Sequence, residues 1–285
     1  METRPSAVKT SLLTGATLVA FAANSLLTRM ALGEGSIDAA SFSTIRLLSG
    51  AAMLIAITTL TQQQKPSLAK GNWTAAIMLF LYAIAFSFSY LQLAAGTGAL
   101  ILFGTVQITM ILAALKQGEK PSSFEWVGLA LAMTGLVYLV SPGLEAPPIL
   151  GSVLMIVAGI AWGFYSLLGR GSQQPVVNTM NNFMRAVPFA LGVSLVSLSG
   201  LHLSGTGVML AVLSGAITSG IGYALWYAAL KGLTATRAAT VQLSVPLLAA
   251  LGGILFLQET LSVRLMLASL MILGGVGSAV LGRQR

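Results

Sequence analysis

The stretch from Gly71 to Leu115 contains no charged residue. A helix needs about 20 apolar residues to cross roughly 30 Å of hydrocarbon, so this stretch is too long for one membrane span and fits two. The small residues of Ala95-Gly-Thr-Gly98 mark the expected break between them. A segment of this kind predicts a protein whose solvent is lipid.

The composition supports the same conclusion for the whole chain. Its 285 residues include 15 Lys or Arg and 7 Asp or Glu, so 8% are charged, against about 25% in ordinary soluble domains. So few charges cannot cover a soluble globule, which excludes a soluble enzyme, a disordered chain and a nucleic-acid-binding protein. With no cysteine and one histidine, His202, neither a metal site nor a Ser-His-Asp triad is expected, and no cofactor is predicted.

Charges and turn residues bracket ten predicted membrane-spanning helices. An uncleaved first helix is expected rather than a signal peptide, because further apolar spans follow it. The ninth span begins near Arg237 and the tenth follows Arg264. The predicted spans cover about 10–31, 39–61, two within 71–115, 123–141, 149–169, 176–199, 206–230, the segment up to 257, and the segment up to 282.

The basic residues are distributed unevenly between the two sides of this arrangement. When the N-terminus is placed in the cytoplasm, most of the 15 basic residues fall on the cytoplasmic side, as positive-inside topology requires. Both termini are then cytoplasmic, and the net charge of +8 records orientation in the membrane rather than an anionic partner. These cytoplasmic residues are Arg4, Lys9, Lys65, Lys70, Lys116, Lys120, Arg170, Lys231, Arg237, Arg283 and Arg285.

The chain also contains a weak internal repeat at an offset of about 140 residues. Asn24-Ser-Leu-Leu-Thr-Arg29 matches Tyr165-Ser-Leu-Leu-Gly-Arg170, and Arg46 matches Arg185, Glu119 matches Glu259 and Gly135 matches Gly275. The halves are then 1–145 and 146–285. Because each half holds five spans, the second enters from the opposite side, which predicts two inverted repeats around a central cavity, as in many secondary transporters. Chance similarity between apolar segments is the alternative.

Three segments of the second half resemble a known family. They are Ala228 to Ala239, Pro246 to Glu259 with its proline and terminal glutamate, and Gly274-Gly-Val-Gly277. Together with the ten spans, they resemble the EamA-type branch of the drug/metabolite transporter superfamily. The resemblance implies export of metabolites, amino acids or drugs across the bacterial inner membrane, through a cavity lined by spans 1, 3, 4, 6, 8 and 9. Among its members, the chain looks most like YddG-type exporters of aromatic amino acids.

Aromatic residues recur at helical spacing on three of those six spans. Residues three or four apart share a helix face, and such a face suits an amphipathic solute with an apolar side chain. The alternative is an aromatic belt at the membrane interface, above all for residues near span ends. The candidate substrate-binding rings are Tyr82, Phe86 and Tyr90 on span 3, Trp162 and Tyr165 on span 6, and Tyr223 and Trp226 on span 8.

Three amides, Asn24, Gln107 and Gln242, lie within predicted spans. An amide facing lipid is costly, so each is expected to face protein or water. They are candidates for binding a carboxylate or ammonium group of a substrate. The alternative role is hydrogen bonding between helices, worth about 0.6–2 kcal/mol per bond in membranes.

Arg46 and Arg185 are the charged residues that lie well inside predicted spans. One interpretation is that they attract a carboxylate. The other, favoured by their symmetrical positions in the repeat, is a gate or structural role at the two mouths of the cavity. Pro246, followed by Gly252-Gly253, is a candidate point of flexing in span 9, whereas Val106-Gln107 in span 4 stand where the family's proline would fall.

No Asp or Glu lies in the middle of a predicted span. Proton-coupled pumps usually carry a buried carboxylate or histidine, so the sequence favours uniport by alternating access. Alternatives are a multidrug or organic-cation exporter, a proton-coupled antiporter and a passive channel. An intramembrane enzyme is not expected, because no His or carboxylate is placed to activate a nucleophile. The expected partners are a small-molecule substrate and the lipid bilayer, with the chain acting as a monomer.

Overall fold

The computed structural model describes residues 6–62, 72–116, 123–170, 172–233 and 235–282, which fold almost entirely into helices. Glu119 and the basic residues Arg4, Lys65, Lys70, Lys120, Arg283 and Arg285 lie outside the described residues. The α-helices are α1 (Ala7–Gly33), α2 (Ala39–Gln62), α3 (Trp73–Ser89), α4 (Ala95–Lys116), α5 (Ser123–Val140), α6 (Ile149–Gly169), α7 (Pro175–Val196), α8 (Gly205–Val212), α9 (Gly222–Leu230), α10 (Ala235–Gln242), α11 (Ser244–Leu257) and α12 (Val263–Gly282).

Within the described residues, eight helical segments are long and apolar enough to cross a membrane. The apolar helix α3 has 17 residues and is shorter than the others. Helix α7 is long enough, but Asn178, Asn181, Asn182 and Arg185 reduce its apolar character, and it is not among the eight. A multi-helical membrane fold, which the sequence predicts, is therefore confirmed, whereas the count of ten spans stays a prediction.

Two of the spans are not regular α-helices along their whole length. In the span Gly205–Leu230, a π-helix, Leu213–Ile221, joins α8 to α9. The span Arg237–Leu257 is divided at Leu243 into α10 and α11. Pro246 explains this break, because proline has no N–H to donate to the carbonyl of Gln242 one turn earlier. Helix α4 has no proline and runs without a break.

The helices pack in pairs across the chain. Helix α2 packs against α7, α5 against α12, α4 against α11, and α3 against α6, while α1 packs against the Gly205–Leu230 span. Small residues bring some of these helices close together, since a Cβ on Gly159 of α6 would lie only 2.6 Å from Cβ of Thr105 on α4. The packing leaves a central space between α1, α3, α4, α6, the Gly205–Leu230 span and α10.

Candidate functional site

A cavity of about 740 Å³ lies in this central space. It is bounded by the six spans that the family resemblance names, with residues from α1, α3, α4, α6, the Gly205–Leu230 span and α10. Nine of the ten candidate substrate-binding residues line it, and their role in binding stays a prediction. They are Asn24, Tyr82, Phe86, Gln107, Trp162, Tyr165, Tyr223, Trp226 and Gln242.

Trp162 is the centre of the aromatic wall. Its ring lies 5.3 Å from that of Tyr223 with an angle of 19° between the planes, and 5.3 Å from that of Tyr165. The ring of Tyr82 approaches Trp162 to 4.7 Å and that of Phe86 follows at 5.3 Å from Tyr82. The wall thus joins rings from α3, α6 and α9 that are far apart in sequence, and it offers an apolar surface for an aromatic or branched group.

Asn24 forms the main polar contact between α1 and its neighbours. The Oδ1 atom of its side-chain amide accepts hydrogen bonds from the hydroxyls of Ser214, at 2.8 Å, and Thr218, at 3.2 Å. Both hydroxyls belong to the π-helix, and π-helical turns are frequent at functional sites. The Asn24 amide nitrogen donates to the Tyr82 hydroxyl at 3.4 Å. Asn24 therefore lines the cavity and also ties three helices together.

Arg46 lies next to this group, behind the cavity wall. Its Nη2 donates to the Tyr82 hydroxyl at 3.0 Å, and its Cζ lies 4.9 Å from the centre of the Phe86 ring. The side chain is only 2% exposed. Arg46 thus touches the cavity wall through Tyr82, and the gate or structural role favoured from sequence stays a prediction.

Arg185 and Pro246 lie away from the cavity surface. Arg185 is buried on α7, with its Cζ 5.2 Å from the centre of the Trp73 ring on α3. Pro246 is buried near the start of α11, where it sets the break beside Gln242. The gate or structural role predicted for both residues stays a prediction.

The two remaining amides reach the cavity from different depths. Gln107 is buried near the middle of α4, whereas Gln242 is half-buried at the end of α10, beside the break in that span. Both line the same cavity as the aromatic wall. They can supply hydrogen bonds to the polar end of a solute.

One end of the cavity is open. Its lining there includes the exposed residues Gly169, Arg170, Gln173 and Lys231. Deeper in this end, the Tyr165 hydroxyl donates to Thr179, whose hydroxyl lies 3.2 Å from that of Tyr227. Of these residues, Tyr165 and Tyr227 line the cavity and Thr179 is buried behind them.

The opposite end is closed by four residues, here named the closing cluster: Arg29, Tyr90, Ala95 and Glu259. The Glu259 carboxylate lies 3.6 Å from Nε of Arg29, and both its oxygens accept from the backbone N–H of Ala95 at 2.9 Å. Because Ala95 begins α4, the carboxylate also meets the positive end of that helix. Arg29 donates to the carbonyl oxygen of Tyr90 at 3.0 Å.

Tyr90 is the one candidate substrate-binding residue that the structure places outside the cavity. It follows α3 as its C-cap, is fully buried, and its hydroxyl donates to the carbonyl oxygen of Ala95. As the spacing of four predicts, its ring contacts that of Phe86, with the ring centres 4.8 Å apart, but the hydroxyl lies beyond the cavity in the closing cluster.

A second tie holds the chain together on the side of the closing cluster. Asp38, before α2, accepts hydrogen bonds from the backbone N–H of Ser41 at 2.9 Å and of His202 at 3.2 Å. Burial raises the pKa of Asp38, but these N–H groups favour the carboxylate and hold the pKa below its usual value. The carboxylate links the loop between α1 and α2 to the loop before α8.

Sequence reasoning missed the closing cluster and the hydroxyls of Ser214 and Thr218. Arg29 and Glu259 are separated by most of the chain, and nothing in the sequence pairs them with each other. The matches of Arg29 with Arg170 and of Glu259 with Glu119 were the available signal. Ser214 and Thr218 gave no signal, because Ser and Thr are common in membrane helices, where they usually hydrogen-bond to their own helix.

The chain is similar to known membrane transporters. The EamA-like transporter family matches residues 149–281. An uncharacterized protein of Pseudomonas aeruginosa is 51% identical over 269 residues, covering 94% of this chain and 93% of that one. An uncharacterized transporter of Archaeoglobus fulgidus is 27% identical over 268 residues, covering 88% of this chain and 90% of that one.

Two further similarities concern location and fold. The uncharacterized inner membrane transporter YedA of Escherichia coli is 26% identical over 136 residues, covering 46% of this chain and 44% of that one. A protein of known crystal structure shares the fold, with a TM-score of 0.64 at 20% identity, over 95% of this chain and 99% of that one.

Proposed function

Because this chain belongs to the EamA-like transporter family, it is a membrane transporter of the drug/metabolite transporter superfamily, and we propose that it exports small amphipathic metabolites, above all neutral and aromatic amino acids. The observation that carries the proposal is the stacked wall of Trp162, Tyr165 and Tyr223 beside the polar groups of Asn24 and Tyr82. An aromatic amino acid has the same division into a flat apolar part and a polar end.

The transport cycle in this proposal is alternating access by a monomer in the bacterial inner membrane. A cavity open at one end and closed by an ion pair at the other supports it. With Arg170 and Lys231 at the open end, positive-inside topology makes that end cytoplasmic and the closing cluster external. Inverted repeats of 1–145 and 146–285 account for the packing, because α2 with α7 and α5 with α12 are the pairs that a two-fold axis would bring together.

The proposed mode is uniport, driven by the gradient of the solute. The described lining of the cavity includes tyrosines, Arg170 and Lys231 but neither a carboxylate nor a histidine. Groups of those two kinds usually carry the proton in coupled transporters. A proton-coupled antiporter and an exporter of organic cations are the alternatives; the rings of Trp162 and Tyr223 favour the second, because aromatic faces attract cations.

Trp162→Ala tests the role of the aromatic wall. In proteoliposomes loaded with unlabelled tryptophan, we expect counterflow of labelled tryptophan by the wild type and at least a tenfold loss in the variant, since stacking is worth about 0.5–1.5 kcal/mol beyond the lost area. The matched control is Trp126→Ala, because Trp126 on α5 is 53% exposed and lies outside the cavity. Equal losses in the two variants would contradict the assignment.

The same vesicles separate the modes and the solute classes. Uniport predicts uptake that follows the tryptophan gradient and does not change when a pH gradient is imposed. Uptake that depends strictly on the pH gradient would instead indicate antiport. Competition by quaternary ammonium compounds but by no amino acid would favour the organic-cation alternative.

A further inference from the structure

We infer that the transported solute must carry a carboxylate, which binds at the Tyr82 hydroxyl with Arg46 as its buried counter-charge. The inference deepens the proposed function and rests on it. It names the anionic group that the polar end of the cavity recognises and the residues that recognise it.

The first step is the state of the Arg46 guanidinium. The side chain is 2% exposed, and its Nη1 has no hydrogen-bond partner among the described residues. In the described part of the chain no carboxylate lies within 4 Å of it, the ion pair found there being that of Arg29 with Glu259. The hydrogen bond to Tyr82 and the rings of Tyr82 and Phe86 are neutral contacts. A buried cation of this kind is costly until an anion joins it.

The second step is the Tyr82 hydroxyl, which connects Arg46 to the cavity. Its oxygen accepts from Arg46 and from Asn24. A phenol has one proton and two acceptor positions, so both acceptor positions are used and the proton remains to be donated. Tyr82 lines the cavity, where a solute oxygen can accept that proton. A positive charge on the far side of the hydroxyl strengthens its donation to an anion.

The third step is the size of the charge. One guanidinium balances one negative charge, so a monocarboxylate makes the site neutral. A phosphate, with a charge close to two at neutral pH, would leave an excess negative charge in the apolar wall formed by Phe86 and Trp162. A cationic amine would bring a second positive charge next to Arg46. The site therefore requires the carboxylate of an amino acid and does not require its ammonium group.

Two matched series of compounds test this requirement. The indole series is tryptophan, indole-3-propionate and tryptamine; the branched series is leucine, 4-methylpentanoate and isopentylamine. Each is added to the purified protein, and the thermal midpoint of unfolding is measured, because a ligand of the folded state raises it. We expect both acids and both amino acids to raise the midpoint of the wild type and neither amine to do so.

Three variants assign the effect to the site. Arg46→Met should abolish stabilisation by the acids, whereas Arg46→Lys, which keeps the charge, should retain part of it. Tyr82→Phe, which keeps the ring, should weaken acid binding about tenfold, the effect of losing one hydrogen bond to a charged group. If Arg46 serves only structure, Arg46→Met lowers the midpoint without ligand; a counter-charge that awaits an anion predicts an unchanged or higher midpoint.

The outcomes separate the inference from the proposed function. The inference would be overturned if the amines raised the midpoint of the wild type as much as the acids do. It would also be overturned if the acids raised the midpoints of Arg46→Met and Tyr82→Phe as much as that of the wild type. If the branched acids bind and the indole acids do not, the proposed preference for aromatic solutes is wrong, but the carboxylate site at Arg46 is still supported. If no acid of either series stabilises the wild type, the carboxylate requirement is wrong, and stabilisation by tryptamine would then still support binding of an aromatic solute.

Discussion

Arg29 and Arg170 end two similar sequences, yet they lie in contrasting surroundings at opposite ends of the cavity. Arg29 pairs with Glu259 and donates to the Tyr90 carbonyl, while Arg170 is exposed at the open mouth. Two segments of similar sequence therefore make different contacts in the same conformation of the protein. In the proposed cycle the difference marks the state of each end, and the predictions below change the closed end while they leave the open end as it is.

The largest effect is expected from Glu259→Ala. It removes the ion pair and the hydrogen bonds to the start of α4, a loss of about 3 kcal/mol, which is about a hundredfold in the ratio of open to closed external end. The chain has no cysteine, so Ser25→Cys introduces one reactive thiol into the cavity. A membrane-impermeant maleimide added to intact cells should label this thiol far faster when Glu259 is replaced. Unchanged labelling would mean that the closing cluster does not close the cavity.

A smaller effect is expected from Arg29→Gln, which removes one partner and leaves the Glu259 contacts to Ala95. The pair is partly exposed, with 27% and 16% of the two side chains accessible, so its loss should cost about 1 kcal/mol and raise labelling about fivefold. Arg170→Gln is the matched control, because it makes the same change at the open end. Labelling from outside should not change in that variant, and an equal rise in both would erase the difference between the two ends.

The smallest effect is expected from Gly253→Ala. A Cβ at this position would overlap the Glu259 carboxylate, which must then shift away from Ala95. Because only the end of a flexible side chain moves, labelling should rise about threefold, while the gain of up to about 1 kcal/mol in helix propensity should stabilise the open and closed states alike. Gly274→Ala, where a Cβ would meet nothing within 4 Å, has the propensity gain alone. A rise in labelling with Gly274→Ala would show that helix stiffening, not the carboxylate, controls the closed end.

The sequence predicts which face of a helix meets the cavity, but it does not predict the contacts made where a helix ends. The rings at Tyr82, Phe86 and Trp162 follow helix periodicity, so the cavity face of α3 and α6 is readable from spacing alone. Tyr90 continues the series and its ring contacts that of Phe86, yet it lies where α3 ends, and its hydroxyl donates to Ala95 outside the cavity. Helix ends depend on local capping and on the neighbours that meet them.

Long-range contacts were beyond sequence reasoning for a related reason. Whether Glu259 meets Arg29 depends on how α11 packs against α1 and α4, and charges near helix ends give no indication of their partners. Arg46 illustrates the same limit within a span. Its burial cost was predictable, but its contact with Tyr82 depends on the packing of α2 beside α3.

The Glu259 carboxylate binds the main chain of Ala95 and not its side chain. Every amino acid except proline supplies that N–H, so random mutation at position 95 rarely removes the bond itself. Substitution at position 95 therefore leaves the N–H of the hydrogen bond in place, whereas substitution of Glu259 removes the carboxylate, which no backbone group can replace. Because Ala95 is fully buried, a saturation library should tolerate only small residues such as Gly and Ser at position 95, reject proline there, and accept few replacements at position 259.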